Sequence, residues 1–180
     1  MTHLALFRGI NVGGKNIVQM AELRHMLTGL GFQNVQTYIQ SGNAIFDAED
    51  APEAVAATIH AAFPAAFGFE CAVLVRTRED IRAVVDSLPF SQAEIAGAEA
   101  ACSEIEHLYY YFAQNPPEEA ALDALNAAHS RGRLALGPGG VYLLCLDSVR
   151  DSKLAAALSK LNPAMTVRNW KTMNKLHSLM

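Results

Sequence analysis

Three cysteines, one tryptophan and a charged fraction of 18% are all this chain of 180 residues contains. Each shortage excludes something. Cys71, Cys102 and Cys145 form no Cys-x-x-Cys pair and stand at no Cys/His metal spacing. Neither a disulfide framework nor a structural zinc site is expected. An odd, scattered set suits a reducing cytosol, and Cys71 and Cys145 lie in apolar runs where a buried, inert thiol is the default. No apolar run approaches the roughly 20 residues that span a bilayer. No charged segment followed by an apolar stretch and a cleavage site opens the chain. The expectation is therefore a cytoplasmic protein with no membrane partner. The six histidines show no His-Glu-x-x-His spacing, so no metal is expected.

Positive charge is scarce too. The net charge is −4, which argues against a general nucleic-acid binder, because such proteins need a broad basic field to displace phosphate counterions. The charge is uneven, however. No acid follows Asp151, while Lys153, Lys160, Arg168, Lys171 and Lys175 do. That tail reads as a solvated helix face or as a local anion-facing surface.

Apolar residues, at 51%, are abundant enough to fill a core. Leu4–Phe7 reads as a buried strand. Met20, Leu23, Leu27 and Leu30 form one stripe of a helix stopped by Gly29 and Gly31. Val35–Ile39 and Ala44–Phe46 read as a hairpin turned by Ser41-Gly42-Asn43. Asp50 and Pro52 open a second helix carrying Val55, Ile59 and Phe63 and closed by Pro64 and Gly68; Cys71–Val75 is the fourth strand. The order βαββαβ is the ferredoxin-like order. Thr77–Leu88 reads as a connecting helix and residues 91–106 as a linker with little periodicity. The order then repeats. A strand at His107–Phe112, a helix with Leu122 and Leu125, strands at Leu134–Leu136 and Val141–Leu146, a helix with Leu154, Leu158 and Leu161, and a strand at Met165–Arg168 follow in turn. Asn169–Met180 is an extra helix. The fold class is α+β: two ferredoxin-like βαββαβ subdomains from an internal duplication, plus a connecting helix and a C-terminal helix. The expected divisions are 1–78, 79–106, 107–168 and 169–180.

Three polar clusters stand out from this apolar frame. Arg8-Gly9-Ile10-Asn11-Val12-Gly13-Gly14-Lys15-Asn16 puts three glycines, two cations and two amides after the first strand. Gln40-Ser41-Gly42-Asn43 turns the first hairpin. In a βαββαβ unit both segments leave the same edge of the sheet, so they should meet. Glycines let backbone N–H groups converge on an anion, Arg8 offers a bidentate fork, and Lys15 a mobile charge. The competing reading is that the glycines make a loop and the amides satisfy its backbone. Arg168-Asn169-Trp170 is the third cluster, either a lid for a flat ligand or an anchor for the last helix. Gly9 to Asn16 nearly fits G-x-x-x-x-G-K-[ST], yet Asn16 replaces the hydroxyl that holds Mg²⁺, and Ile17-Val18-Gln19 separates Lys15 from the helix. Nucleotide hydrolysis is not expected.

Together these clusters resemble the bacterial domain-of-unknown-function family 1697. The matching residues are Arg8–Gly14, Met20 with Glu22-Leu23-Arg24, Thr37–Asn43 and Arg168–Thr172. The likeness runs from Leu4 to Leu179. It implies two ferredoxin-like subdomains and no established activity, substrate or cofactor.

The leading expectation is a site for a small phosphate- or carboxylate-bearing ligand. Arg8, Asn11, Gly13, Gly14, Lys15, Gln40, Ser41 and Asn43 would form it, with Arg168, Asn169 and Trp170 as a lid. No residue can be named as a general base, so no catalytic role is assigned, and the cofactor is unknown. One alternative is a nucleic-acid module using outward-facing rings of Tyr109-Tyr110-Tyr111 and the basic tail. Another is a structural or interaction module with no ligand.

Overall fold

Apolar runs and helical stripes fold as eight strands and seven helices in a computed structural model that describes residues Met1–Met180. The chain divides into two units, Met1–Ile81 with Leu176–Met180, and Arg82–Lys175.

In the first unit the elements are β1 (Thr2–Phe7), α1 (Met20–Gly29), β2 (Gln33–Thr37), β3 (Asn43–Asp47), α2 (Pro52–Phe67) and β4 (Val73–Thr77). The sheet runs β2-β3-β1-β4, antiparallel throughout. Alternation along β1 and β3 sends Ala5, Phe7, Ala44 and Phe46 to one face. There they pack with Leu23 and Leu27 of α1 and Val55, Ile59 and Phe63 of α2. Registers pairing Thr2 with Asp47 and Leu6 with Asn43 put the glycine loop and the β2–β3 turn at one end of the sheet.

α3 (Arg78–Asp86) and α4 (Gln92–Ala101) follow. The second unit then repeats the order with β5 (Leu108–Phe112), α5 (Glu119–Ala128), β6 (Gly132–Gly137), β7 (Gly140–Cys145), α6 (Lys153–Leu161) and β8 (Thr166–Asn169), in the sheet order β6-β7-β5-β8. Its core gathers Tyr111, Val141, Leu143 and Cys145 with Leu122 of α5 and Leu154 and Leu158 of α6. α7 (Trp170–Leu179) ends the chain. No helix is long and apolar enough to cross a membrane.

Several sequence expectations need correcting. The stretch expected as a linker, 91–106, holds α4. Ser91 and Glu94 close a reciprocal capping box, with the Ser91 N–H donating to Glu94 Oε2 at 2.7 Å and the Glu94 N–H to Ser91 Oγ at 3.2 Å. Only Ala98 on this helix is buried, so there was no apolar stripe to see. Pro64 lies inside α2 and does not end it; Gly68, at φ 78, caps the helix and donates its N–H to Pro64 O at 2.8 Å. Leu161 is exposed, so the α6 stripe ends at Leu158. The tyrosine run is not an open stacking platform. Tyr110 and Tyr111 are both buried, and the Tyr110 hydroxyl donates to Pro138 O at 2.6 Å. Tyr109 is half-buried with its hydroxyl on Glu106 O. β5 is an interior strand whose two faces are both covered, which alternation alone could not tell.

Candidate functional site

The glycine loop is a small hairpin whose base is closed by side chains. Val12 and Lys15 form an isolated bridge, with the Lys15 N–H donating to Val12 O at 3.1 Å. Gly13 and Gly14 between them take φ of 59° and 73°, the positive values that a tight two-residue turn demands. Asn11 and Asn16, at φ 54° and 52°, occupy left-handed positions that Asn tolerates better than most residues. Asn11 closes the base. Its Nδ2 donates to Val18 O at 3.0 Å and to Gln40 O at 2.9 Å, while its Oδ1 accepts the Val18 N–H at 2.9 Å. Asn16 Nδ2 donates to Gly9 O at 3.1 Å. The α1 helix begins only at Met20, five residues past Lys15, so its N-terminus is not where a P-loop would put it.

The second wall is the β2–β3 turn. The Tyr38 N–H donates to Asn43 O at 3.0 Å, and buried Asn43 returns its Nδ2 to Tyr38 O at 3.1 Å and Ser41 Oγ at 3.0 Å. Gly42, at φ 78°, lets the turn approach β1, and the Phe7 N–H donates to Gly42 O at 2.9 Å. The two segments thus meet through Asn11 on Gln40, and the end of β1 adds Phe7 on Gly42, as topology required. Asn11 and Asn43 direct their amide protons to backbone carbonyls and Ser41, which holds the walls together.

Two cations remain outward. Arg8 and Lys15 are exposed, and their side chains make no hydrogen bond or ion pair. Neither wall, 8–19 or 33–46, contains an acid. Glu70, two residues before the Ala72 whose carbonyl accepts the Arg8 N–H, makes no ion pair with it. At the other end of β1 and β3, Asp47, Glu49 and Asp50 line a cavity of about 460 Å³ with Met1 and Phe32, while Glu22 in the first turn of α1 and Glu70 ahead of β4 lie outside the two walls.

Residues 1–142 match the family described as "Protein of unknown function (DUF1697)". The chain belongs to this family. The matched stretch contains Arg8–Asn16 and Gln40–Asn43 and ends before Arg168. A solved structure described as that of a conserved bacterial protein from Streptococcus pneumoniae is similar over 98% of this chain and 97% of its own, at 27% identity and a TM-score of 0.73. No curated protein matches the chain.

The third cluster lies in the second unit of this DUF1697 protein. Arg168 on β8 is buried; it donates from one guanidinium nitrogen to Val167 O at 2.7 Å, and burial pulls its pKa down to about 10. Asn169 Oδ1 accepts the Thr172 N–H at 2.8 Å and so caps α7. Trp170 is half-buried, its ring 6.1 Å from that of Tyr142. The first unit repeats the local pattern at a residue that sequence reasoning missed. Arg76 on β4 donates to Val75 O at 2.9 Å, and Thr77 Oγ1 caps α3 by accepting the Asp80 N–H at 3.1 Å. The signal was legible as Val-Arg-Thr and Val-Arg-Asn, each directly before a helix.

The two buried thiols are poor nucleophiles. Cys71 donates to Arg8 O at 3.4 Å and burial raises its pKa; Cys145 is pushed up to about 11, by burial first and then by the Asp147 charge.

Proposed function

We propose that the chain binds a small phosphate- or carboxylate-bearing ligand at the edge formed by Arg8–Asn16 and Gln40–Asn43. The observation that carries the reading is the pair of unpartnered cations, Arg8 and Lys15, flanking a Gly13–Gly14 turn in two walls, 8–19 and 33–46, that contain no acid. In this reading Arg8, Lys15 and the Gly13 and Gly14 N–H groups meet the anion, while Asn11, Asn16 and Asn43 hold the walls in place. Gln40 and Ser41 supply directional contacts, and Arg168, Asn169 and Trp170 belong to the reading as its lid. A reducing cytoplasmic setting is part of it, supported by three free cysteines, two of them buried.

The test is a titration with inorganic phosphate followed by the amide resonances of Gly13 and Gly14. Saturable shifts should appear, and Arg8→Ala should weaken them about tenfold or more, the worth of one charge-assisted hydrogen bond. The melting temperature should stay put, because Arg8 is exposed and unpaired. Absence of saturable shifts at both glycines would refute the proposal. A large drop in melting temperature for Arg8→Ala would favour the purely structural role for these motifs.

A further inference from the structure

We infer that the ligand of this edge is amphiphilic, an anionic head on an aliphatic chain. The inference rests on the preceding reading and names its ligand class. Its observations are independent of the cations. Val12, Ile17 and Ile39 are 66%, 61% and 49% exposed, among the most open large aliphatic side chains in the protein. They are also gathered. The Asn11 amide bonds Val18 and Gln40, and the three aliphatics are the chain neighbours of Asn11, Val18 and Gln40 respectively. One side chain therefore ties together the backbone next to all three, where the hairpin meets the β2–β3 turn.

Ile39 argues most strongly. Its φ is 51°, a left-handed conformation that β-branched residues avoid. Every other positive φ in the chain belongs to Gly or Asn. Ile39 gains little from burial, being half exposed, and its backbone would be better served by either of those residues. Neither the core nor the turn accounts for an isoleucine there. A strained, outward aliphatic side chain beside unpartnered cations fits a ligand with both characters. The head sits at Arg8, Lys15 and the Gly13–Gly14 turn, and the chain lies along Val12, Ile17 and Ile39. A free alkyl or acyl anion and an anionic bilayer lipid share this chemistry.

The experiment compares inorganic phosphate, octyl phosphate below its aggregation concentration, and phosphatidylcholine vesicles with and without phosphatidic acid. Octyl phosphate should bind at least about tenfold tighter than phosphate. The double variant Val12→Ser, Ile17→Ser, altered only at exposed positions, should lose that gain and keep phosphate binding. Ile39→Asn should also reduce the gain, and its melting temperature should rise because the strain is relieved. Arg8→Ala should weaken both ligands. Vesicle binding that needs phosphatidic acid and shows the same variant sensitivity assigns the head to a bilayer lipid; binding of octyl phosphate alone assigns it to a free amphiphile. If octyl phosphate binds no tighter than phosphate, or the double variant keeps the gain, the inference is overturned and the anion site stands. If neither ligand binds, both readings fall.

Discussion

Gly42→Ala should cost the first unit about 3 kcal/mol, and the estimate can be built from two parts. Gly42 has φ 78°, where an L side chain is disfavoured by about 1 kcal/mol or slightly more. A Cβ there would stand 2.9 Å from Phe7 Cβ and 2.9 Å from Ile10 Cδ1. Neither neighbour yields easily. Phe7 and Ile10 are both buried, and the Phe7 N–H is bonded to the Gly42 carbonyl at 2.9 Å. Overpacking of this kind adds about 1–3 kcal/mol. Gly13→Ala is the control. Its φ is also positive, at 59°, but a Cβ would meet nothing within 4 Å, so only the backbone part of about 1 kcal/mol applies. Urea denaturation followed by far-UV circular dichroism, with native-state hydrogen exchange at β1 and β3 amides, reads the difference. Tryptophan fluorescence would report the wrong unit, since the single Trp170 belongs to the second. With an m-value of about 1 kcal/mol/M for a unit this size, the two midpoints should differ by about 2 M. Equal losses for the two alanines would refute the steric argument, and a Gly42→Ala loss below about 1 kcal/mol would refute the conformational one as well.

Other outcomes follow from the same geometry. His107 bridges Cys145 O and Cys102 O, each at 2.7 Å, so His107→Ala should destabilise the second unit by about 2 kcal/mol or more and speed hydrogen exchange in α4. Asp47 accepts hydrogen bonds from Asn34 and Thr2 at 2.8 Å each, which hold its carboxyl below the usual range. A depressed native pKa means the stabilisation is present above the unfolded value of about 3.9 and is lost as pH falls through the native value. Asn34→Gly, which keeps the positive φ, should raise the Asp47 titration midpoint by NMR and flatten the acid limb of the stability curve. Among the thiols, half-buried Cys102 should react first with Ellman's reagent, with Cys71 and Cys145 silent until unfolding; Cys102→Ser should abolish native labelling.

The fold was legible because its signals are redundant. Stripes such as Val55-Ile59-Phe63 and the repeated βαββαβ order agree with each other, and the order alone predicted that the segments Arg8–Asn16 and Gln40–Asn43 would meet, as they do through Asn11 and Gln40. Boundaries were less secure where a residue's type and its place disagree. Ile39 looks like a strand residue, which stretched the expected β2 to 39, whereas the strand ends at Thr37 and Ile39 sits left-handed in the turn. α4 was missed because its signal is a cap and not a stripe. At the site, residue types foretold the loop but not the division of labour within it. That Asn11 would hold backbone while Arg8 stays unpaired depends on φ values that sequence hints at only through the tolerance of Asn for them.

The Asn11 bridge has an engineering consequence. The hairpin is closed below its tip by the Asn11 N–H on Asn16 O at 3.0 Å and by the Asn11 and Asn16 side chains, so Gly13 and Gly14 hang outside a completed ring. Lengthening a loop beyond such a closure costs only about 0.6 kcal/mol for each doubling. A reporter peptide grafted between Gly13 and Gly14 would leave β1, β3 and both walls in register, making this tip a natural insertion point for a sensor built on the scaffold.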